Sequence, residues 1–362
     1  MTGPTGRARK EGNTMAGKFR FSFGPWNIHE GSDPFGPTVR GGMTFARKLA
    51  LYKELGYDGV QFHDDDAVPD LNDLAAPQVA KKASALGQKL KSAGLTPEFV
   101  APRLWEDPRT IDGGYTSNSK ACRVYAIERS LLAIDIAREL GTRNIVLWLA
   151  REGTYMREAK DPVAATNHLI EAVNAMLAHD PQIRILIEPK PNEPMDVAYI
   201  PTIGHALALG HLTSDPARVG CLVESAHAIL AGLDPSDEMA FALAQKKLWS
   251  VHLNDQNGLK FDEDRAFGTV NLRRAFSTVM VLDANDYGQN GEYVGMDVKA
   301  IRTQKKPDAL RHLVNSRAIF LALLDVARSL DAKLIAIARA TRDYEALDAL
   351  IIGALMKRRM PK

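Results

Sequence analysis

Short apolar runs rich in β-branched and aromatic residues alternate along this chain with longer segments whose apolar positions recur every three to four residues. The runs predict strands over Phe19–Phe23, Gly59–His63, Thr96–Ala101, Asn144–Trp148, Ile183–Glu188, Val219–Glu224, Leu248–Leu253 and Glu292–Asp297. The periodic segments predict helices such as Phe45–Leu55, Val79–Ala93, Lys120–Leu140 and Pro162–Ala178, with Gly56, Gly94 and Gly141 as turn signals between helix and strand. Repeated strand–helix units predict an α/β fold, a closed (β/α)8 TIM barrel over 19–330 followed by a short C-terminal helical tail over 331–362. A doubly wound open sheet would show the same alternation. It expects a phosphate- or dinucleotide-binding loop after an early strand, and neither GxGxxG nor GxxxxGK[ST] occurs.

Composition narrows the partners. With 45% hydrophobic residues in 362, the chain has enough apolar surface for one large core. Its formal charge is only +2 and the charges are dispersed, so neither a nucleic acid nor a membrane surface is expected, and a small substrate is. Cys122 and Cys221 are too few for a disulfide framework, which fits a reducing, cytoplasmic setting. No run is long enough to span a bilayer. Residues 1–18 lack the apolar core of a signal peptide and are expected to form a disordered leader, with Met15 an alternative start.

The chemistry sits at the ends of the later runs. ILIEPK closes on Glu188, RVGCLVES on Glu224, LWSVHLN on His252 and EYVGMDVK on Asp297. In a barrel, side chains at the carboxyl ends of the strands converge on one mouth, so four metal-liking groups on four consecutive strands predict a metal there. The prolines of Glu188-Pro189-Lys190-Pro191-Asn192-Glu193-Pro194 forbid regular structure and hold Glu188 and Lys190 on a stiff path. In Glu224-Ser225-Ala226-His227 a spacing of three puts carboxylate and imidazole on one face of a helical turn. Asp262 and Asp264, two apart, aim both carboxylates one way, as hard cations require, and a shared Glu224 would bridge a second metal. In isolation such pairs are ordinary solvated turns; their place at strand ends gives them weight. His63, followed by Asp64, Asp65 and Asp66, is equipped for proton transfer, and Trp26, Trp105 and Trp148 offer flat apolar walls that exclude water.

Taken together, these motifs resemble those of the xylose isomerases, metal-dependent aldose–ketose isomerases built on a (β/α)8 barrel. The similarity runs from about Phe21 to Lys299 and is carried by DPFG at Asp33–Gly36, FHDDD at Phe62–Asp66, DGGYTSN at Asp112–Asn118, WLAREG at Trp148–Gly153, EPKPNEP, PTIGHALA at Pro201–Ala208 and NDQNGLKFDEDRAFG at Asn254–Gly268. The resemblance implies two divalent cations (Mn²⁺, Mg²⁺ or Co²⁺). The first would be held by Glu188, Glu224, His252 and Asp297, the second by the shared Glu224 with His227, Asp262 and Asp264. It implies that His63 with Asp66 assists ring opening and that Lys190 hydrogen-bonds the C1 oxygen. Trp26, Trp105 and Trp148 would line the pocket, and Phe35 would complete that of a neighbouring subunit in a homotetramer, or failing that a dimer. The implied reaction is a 1,2-hydride shift on an open-chain sugar, D-xylose to D-xylulose.

The chain departs from that family at informative places. His252 stands where xylose isomerases usually carry aspartate, and resembles the first metal site of the L-rhamnose isomerases. Arg103-Leu104-Trp105 replaces Asn-Leu-Phe, and Trp148-Leu149-Ala150 replaces Trp-Gly-Gly. Alternative readings are therefore an isomerase of another sugar such as L-rhamnose, a metal-dependent barrel epimerase or lyase, which would not need Lys190 and His63 where they are, and a catalytically silent sugar-binding barrel.

Overall fold

The structure, a computed structural model, describes residues 19–31, 36–305 and 309–357. Eight parallel strands close into a barrel: β1 Phe21–Phe23, β2 Gly59–His63, β3 Thr96–Ala101, β4 Asn144–Trp148, β5 Arg184–Glu188, β6 Val219–Glu224, β7 Leu248–Leu253 and β8 Val294–Met296. Each pairs with its sequence neighbours, and β1 pairs with β8 to close the ring. Closure rules out the open sheet. The predicted and observed strands differ only at their ends: β1, β5 and β8 are shorter than their apolar runs, so Asp297 lies one residue beyond its strand.

The outer layer is α1 Phe45–Glu54, α2 Ala76–Ser92, α3 Lys120–Leu140, α4 Pro162–His179, α5 Ile203–His211, α6 Pro235–Ala244, α7 Leu272–Ala284 and α8 Arg311–Ser329. Their ends are written in the sequence. Asp161 accepts from the amides of Val163 and Ala164 and Pro162 opens the helix, while α3 stops at Gly141, whose φ of 99° suits a residue without Cβ. The outward faces of the strands meet these helices in an apolar shell that includes Phe21, Val60, Phe62, Leu90, Ile134 and Phe320. Two further helices, α9 Ala332–Thr341 and α10 Tyr344–Met356, form the tail, and α10 is tied to the barrel by Arg273 and Asp348 at 2.9 Å.

Inside the barrel the filling is mixed. Phe99, Ala101, Val146, Leu186 and Leu222 form a small apolar plug, and Ser22, Gln61, Glu98, Ser250 and His252 are buried polar residues on β1, β2, β3 and β7. Strand register does the positioning at the mouth: Glu224 is abreast of His252, and Trp148 is abreast of Glu188. No helix among the described residues is long and apolar enough to cross a membrane.

Candidate active site

A cavity of about 670 Å³ opens at the carboxyl end of the barrel, and the strand-end residues converge on it. Trp26, His63, Trp105, Trp148, Glu188, Lys190, Glu224, His227, His252, Asp262, Asp264 and Asp297 all line it. Asp66 stands behind His63, and Phe35 lies outside the described residues. Of the three tryptophans only Trp148 ends a strand: Trp26 is in a single 3-10 turn, Pro25–Asn27, and Trp105 is in the loop after β3.

The first donor set gathers around the His252 imidazole. Its Nδ1 is 3.2 Å from Glu188, 3.4 Å from Glu224 and 3.6 Å from Asp297. Burial works against a charged imidazole here, but the facing Glu188 and its neighbours outweigh it and hold His252 well above the usual histidine range. Glu188 is correspondingly held below the usual carboxylate range: burial would raise it, and the His252 charge prevails. Trp26 braces the set by donating from Nε1 to Asp297 at 2.9 Å.

The second set shares Glu224. His227 Nε2 lies 3.2 Å from Glu224 and 3.1 Å from Asp262, on the turn that follows β6. Asp264 has a left-handed backbone, φ 46°, which Asp tolerates better than most residues. This set also meets cations of the chain itself. Lys190 Nζ is 3.1 Å from Asp262, and Lys299 Nζ is 2.5 Å from Asp264. Asn254 donates to Glu224 at 2.9 Å and to Asp264 at 3.2 Å. Burial and the Asp262 charge push Asp264 up to about 8. Asp262 is held well below the usual range, because Lys190 and His227 outweigh its burial.

Both sets suit a divalent cation. Glu224, His252 and Asp297 offer ligand atoms within 4.8 Å of one another, as do Glu224, Asp262 and Asp264, while Glu188 groups with Glu224 and His227; mixed carboxylate and imidazole donors this close are what such an ion takes. In the second set, Oδ1 of Asp262 and Nδ1 of His227 are buried without a hydrogen-bond partner. A third cluster, His63, Asp65 and Asp66, has its own cation. Arg103 donates from Nε to Asp65 at 2.8 Å and places Nη2 2.6 Å from His63 Nδ1, the nitrogen that also faces Asp66 at 2.9 Å. The three adjacent acids thus take separate duties, since Asp64 is buried against Arg129.

His63 is sandwiched by aromatic rings, stacked on Trp26 at 4.1 Å between centroids and edge-on to Trp105 at 5.0 Å. Trp148 continues the wall, 4.6 Å from Trp105, and Lys190 sits over its ring at 5.2 Å. Lys190 also meets Glu193 at 3.1 Å. Burial would lower its pKa; Asp262 and Glu193 outweigh that and hold the ammonium above the usual lysine range. The pocket therefore has one side lined by carboxylates and imidazoles and one aromatic side, with an ammonium and an imidazole where they meet.

Lys299, Asn254 and Glu193 were not singled out by the sequence reading. Asn254 and Glu193 lay inside quoted motifs, but nothing in the sequence says which acid a given amide or ammonium will meet.

A family model described as xylose isomerase-like TIM barrel matches residues 49–287. Among solved structures, a D-tagatose 3-epimerase-like protein aligns with a TM-score of 0.61 at 14% identity, covering 86% of this chain and 98% of its own. A xylose isomerase domain protein from Alicyclobacillus acidocaldarius gives 0.58 at 15% identity, covering 86% and 100%. The IolI protein with a binding zinc atom gives 0.58 at 14%, covering 85% and 98%. At these identities the structural likeness speaks for the fold, and the family match spans most of the barrel. The chain belongs to the xylose isomerase-like TIM barrel family.

Proposed function

We propose that this protein is a metal-dependent sugar isomerase that interconverts an aldose and a ketose by a 1,2-hydride shift, with D-xylose to D-xylulose the first reaction to test. The observation that carries the reading is the meeting, in one cavity, of the Glu188–Glu224–His252–Asp297 cluster with Lys190 on one side and the His63–Asp66 pair on the other. Glu188, Glu224, His252 and Asp297 would hold one cation, and Glu224, His227, Asp262 and Asp264 a second. Bound there, a divalent cation supplies Lewis-acid stabilisation to the sugar oxygens at C1 and C2 as charge shifts between them.

The chain's own groups account for the rest. His63, oriented by Asp66, exchanges a proton with the ring oxygen of the closed sugar as it opens. Lys190, kept charged by Asp262 and Glu193, donates a hydrogen bond to the C1 oxygen. Trp26, Trp105 and Trp148 pack on the sugar's C–H faces and keep water from the reacting carbons.

A second reading, an epimerase using a single cation, is favoured by one observation: Lys190 and Lys299 already neutralise Asp262 and Asp264. Solved structures of similar fold include one titled L-ribulose 3-epimerase. The test is to incubate metal-stripped protein with aldoses and ketoses in the presence of Mn²⁺, Mg²⁺ or Co²⁺ and to identify the products. Aldose–ketose interconversion abolished by EDTA is expected. Ketose–ketose epimerisation alone would select the second reading, and turnover indifferent to EDTA would remove both.

A further inference from the structure

His252 faces two ways. Its Nδ1 points at the carboxylates of the first donor set, and its Nε2 points down into the barrel, 3.2 Å from Oε1 of Gln61. The far side of Gln61 settles how that amide is turned. Gln61 Nε2 donates to Glu98 at 3.1 Å and to Ser22 at 3.2 Å. A carboxylate only accepts, so the amide nitrogen faces Glu98 and the amide oxygen faces His252. His252 must then carry a hydrogen on Nε2, which leaves Nδ1 as its coordinating atom. The second oxygen of Glu98 accepts from Ser250 at 2.7 Å.

The backbone makes room for this chain of contacts. Strand register shifts between Val60 and Gln61, an irregularity of the kind that re-aims a side chain. Position 295, abreast of His252, is glycine, and a Cβ there would stand 2.5 Å from Gln61 Nε2. Gln61 and Glu98 are 0% and 4% exposed, and neither lines the cavity. Burying an amide and a carboxylate inside a barrel is destabilising unless each is satisfied, and here Gln61 is satisfied by Glu98, Ser22 and His252, and Glu98 by Gln61 and Ser250.

We propose that Glu98 and Gln61 are positioning residues for His252. They form a buried carboxylate–amide–imidazole relay that fixes the ring with Nδ1 toward the first donor set and strengthens it as a cation ligand. The proposal rests on the reading that this set holds a metal. Outer partners of metal-binding imidazoles act in this way, by fixing the tautomer and raising ligand basicity. The relay also explains how an imidazole serves at this position: its outer nitrogen has a built acceptor, which an aspartate there would not need.

The test uses the metal-stripped full chain titrated with Co²⁺ by calorimetry, in four forms: wild type, Gln61→Met, His252→Asp and the double variant. Gln61→Met keeps the volume and deletes the acceptor. It is expected to weaken the tighter Co²⁺ event by roughly 10–100-fold, and to change it little in the His252→Asp background, where no Nε2–H needs orienting. In the wild type, ¹⁵N-resolved NMR is expected to show a slowly exchanging His252 Nε2–H that Gln61→Met loses. If Gln61→Met fails to fold by circular dichroism, Glu98→Gln, which frees the amide to turn over, should show the same dependence on His252 with a smaller drop. Equal losses in both backgrounds, or unchanged Co²⁺ affinity, would overturn the relay alone. A wild-type chain that takes up no Co²⁺ would overturn the metal reading and the relay with it.

Discussion

The two donor sets at the barrel mouth use the same side-chain types and share Glu224, yet the chain treats them differently. Around His252 no lysine among the described residues forms an ion pair with Glu188, Glu224 or Asp297; the imidazole is the positive group they share, and Lys299 acts on Asp297 only through its field. Around His227 each aspartate already has an ammonium, Lys190 on Asp262 and Lys299 on Asp264. Ligand type alone therefore says little about occupancy. A cation entering the first set has only a proton to replace, whereas one entering the second must also compete with two lysines. The expected order is a tight first ion and a weaker second.

The sharpest way to break this comparison is Glu224→Gln. If Glu224 serves both sets, calorimetry should lose both ions and turnover should fall by about 10³-fold or more, the several kcal/mol that a bound cation contributes to charge stabilisation. Survival of one ion at wild-type affinity would mean that the sets are independent. Lys190→Met separates catalysis from binding: turnover should drop roughly 10²–10³-fold with the loss of a preorganised donor, while the tighter ion binds as before. A weaker first ion in that variant would place Lys190 with the first set instead. Lys299→Met is the mildest. Relieving Asp264 of a partly exposed ion pair should tighten the second ion by about fivefold, equivalent to ~1 kcal/mol, and leave the first alone. No change in the weaker binding event would show that Lys299 does not compete.

Much of this was legible before the fold was seen, and the reasons are local. Strand runs announce themselves by β-branched and aromatic content, helix ends by Asp161, Pro162 and Gly141, and the mouth of a parallel barrel by where the strands stop. Once eight strands are assumed to run parallel, Glu188, Glu224, His252 and Asp297 must gather at one end. The sequence reading was weaker where partners are set by register and side-chain direction. It treated His63, Asp64, Asp65 and Asp66 as an imidazole with three acids; in the fold they divide among Arg129, Arg103 and His63 itself. It identified His252 as a departure from the aspartate of the xylose isomerases without showing what would support an imidazole there. The compensating Gln61 and Glu98 sit on β2 and β3, across the barrel from β7, and look in sequence like stray polar residues in apolar runs.

What the sequence by itself determined is the barrel and the end of it where the metal-liking side chains gather, because strand periodicity and the positions of strand ends are properties of neighbouring residues along the chain. What only the tertiary structure decided is which charges meet. Closure of the barrel brings residues from opposite strands within hydrogen-bonding distance, and in that low-dielectric interior a shift of a few ångströms decides whether a carboxylate faces a lysine, an amide or a metal.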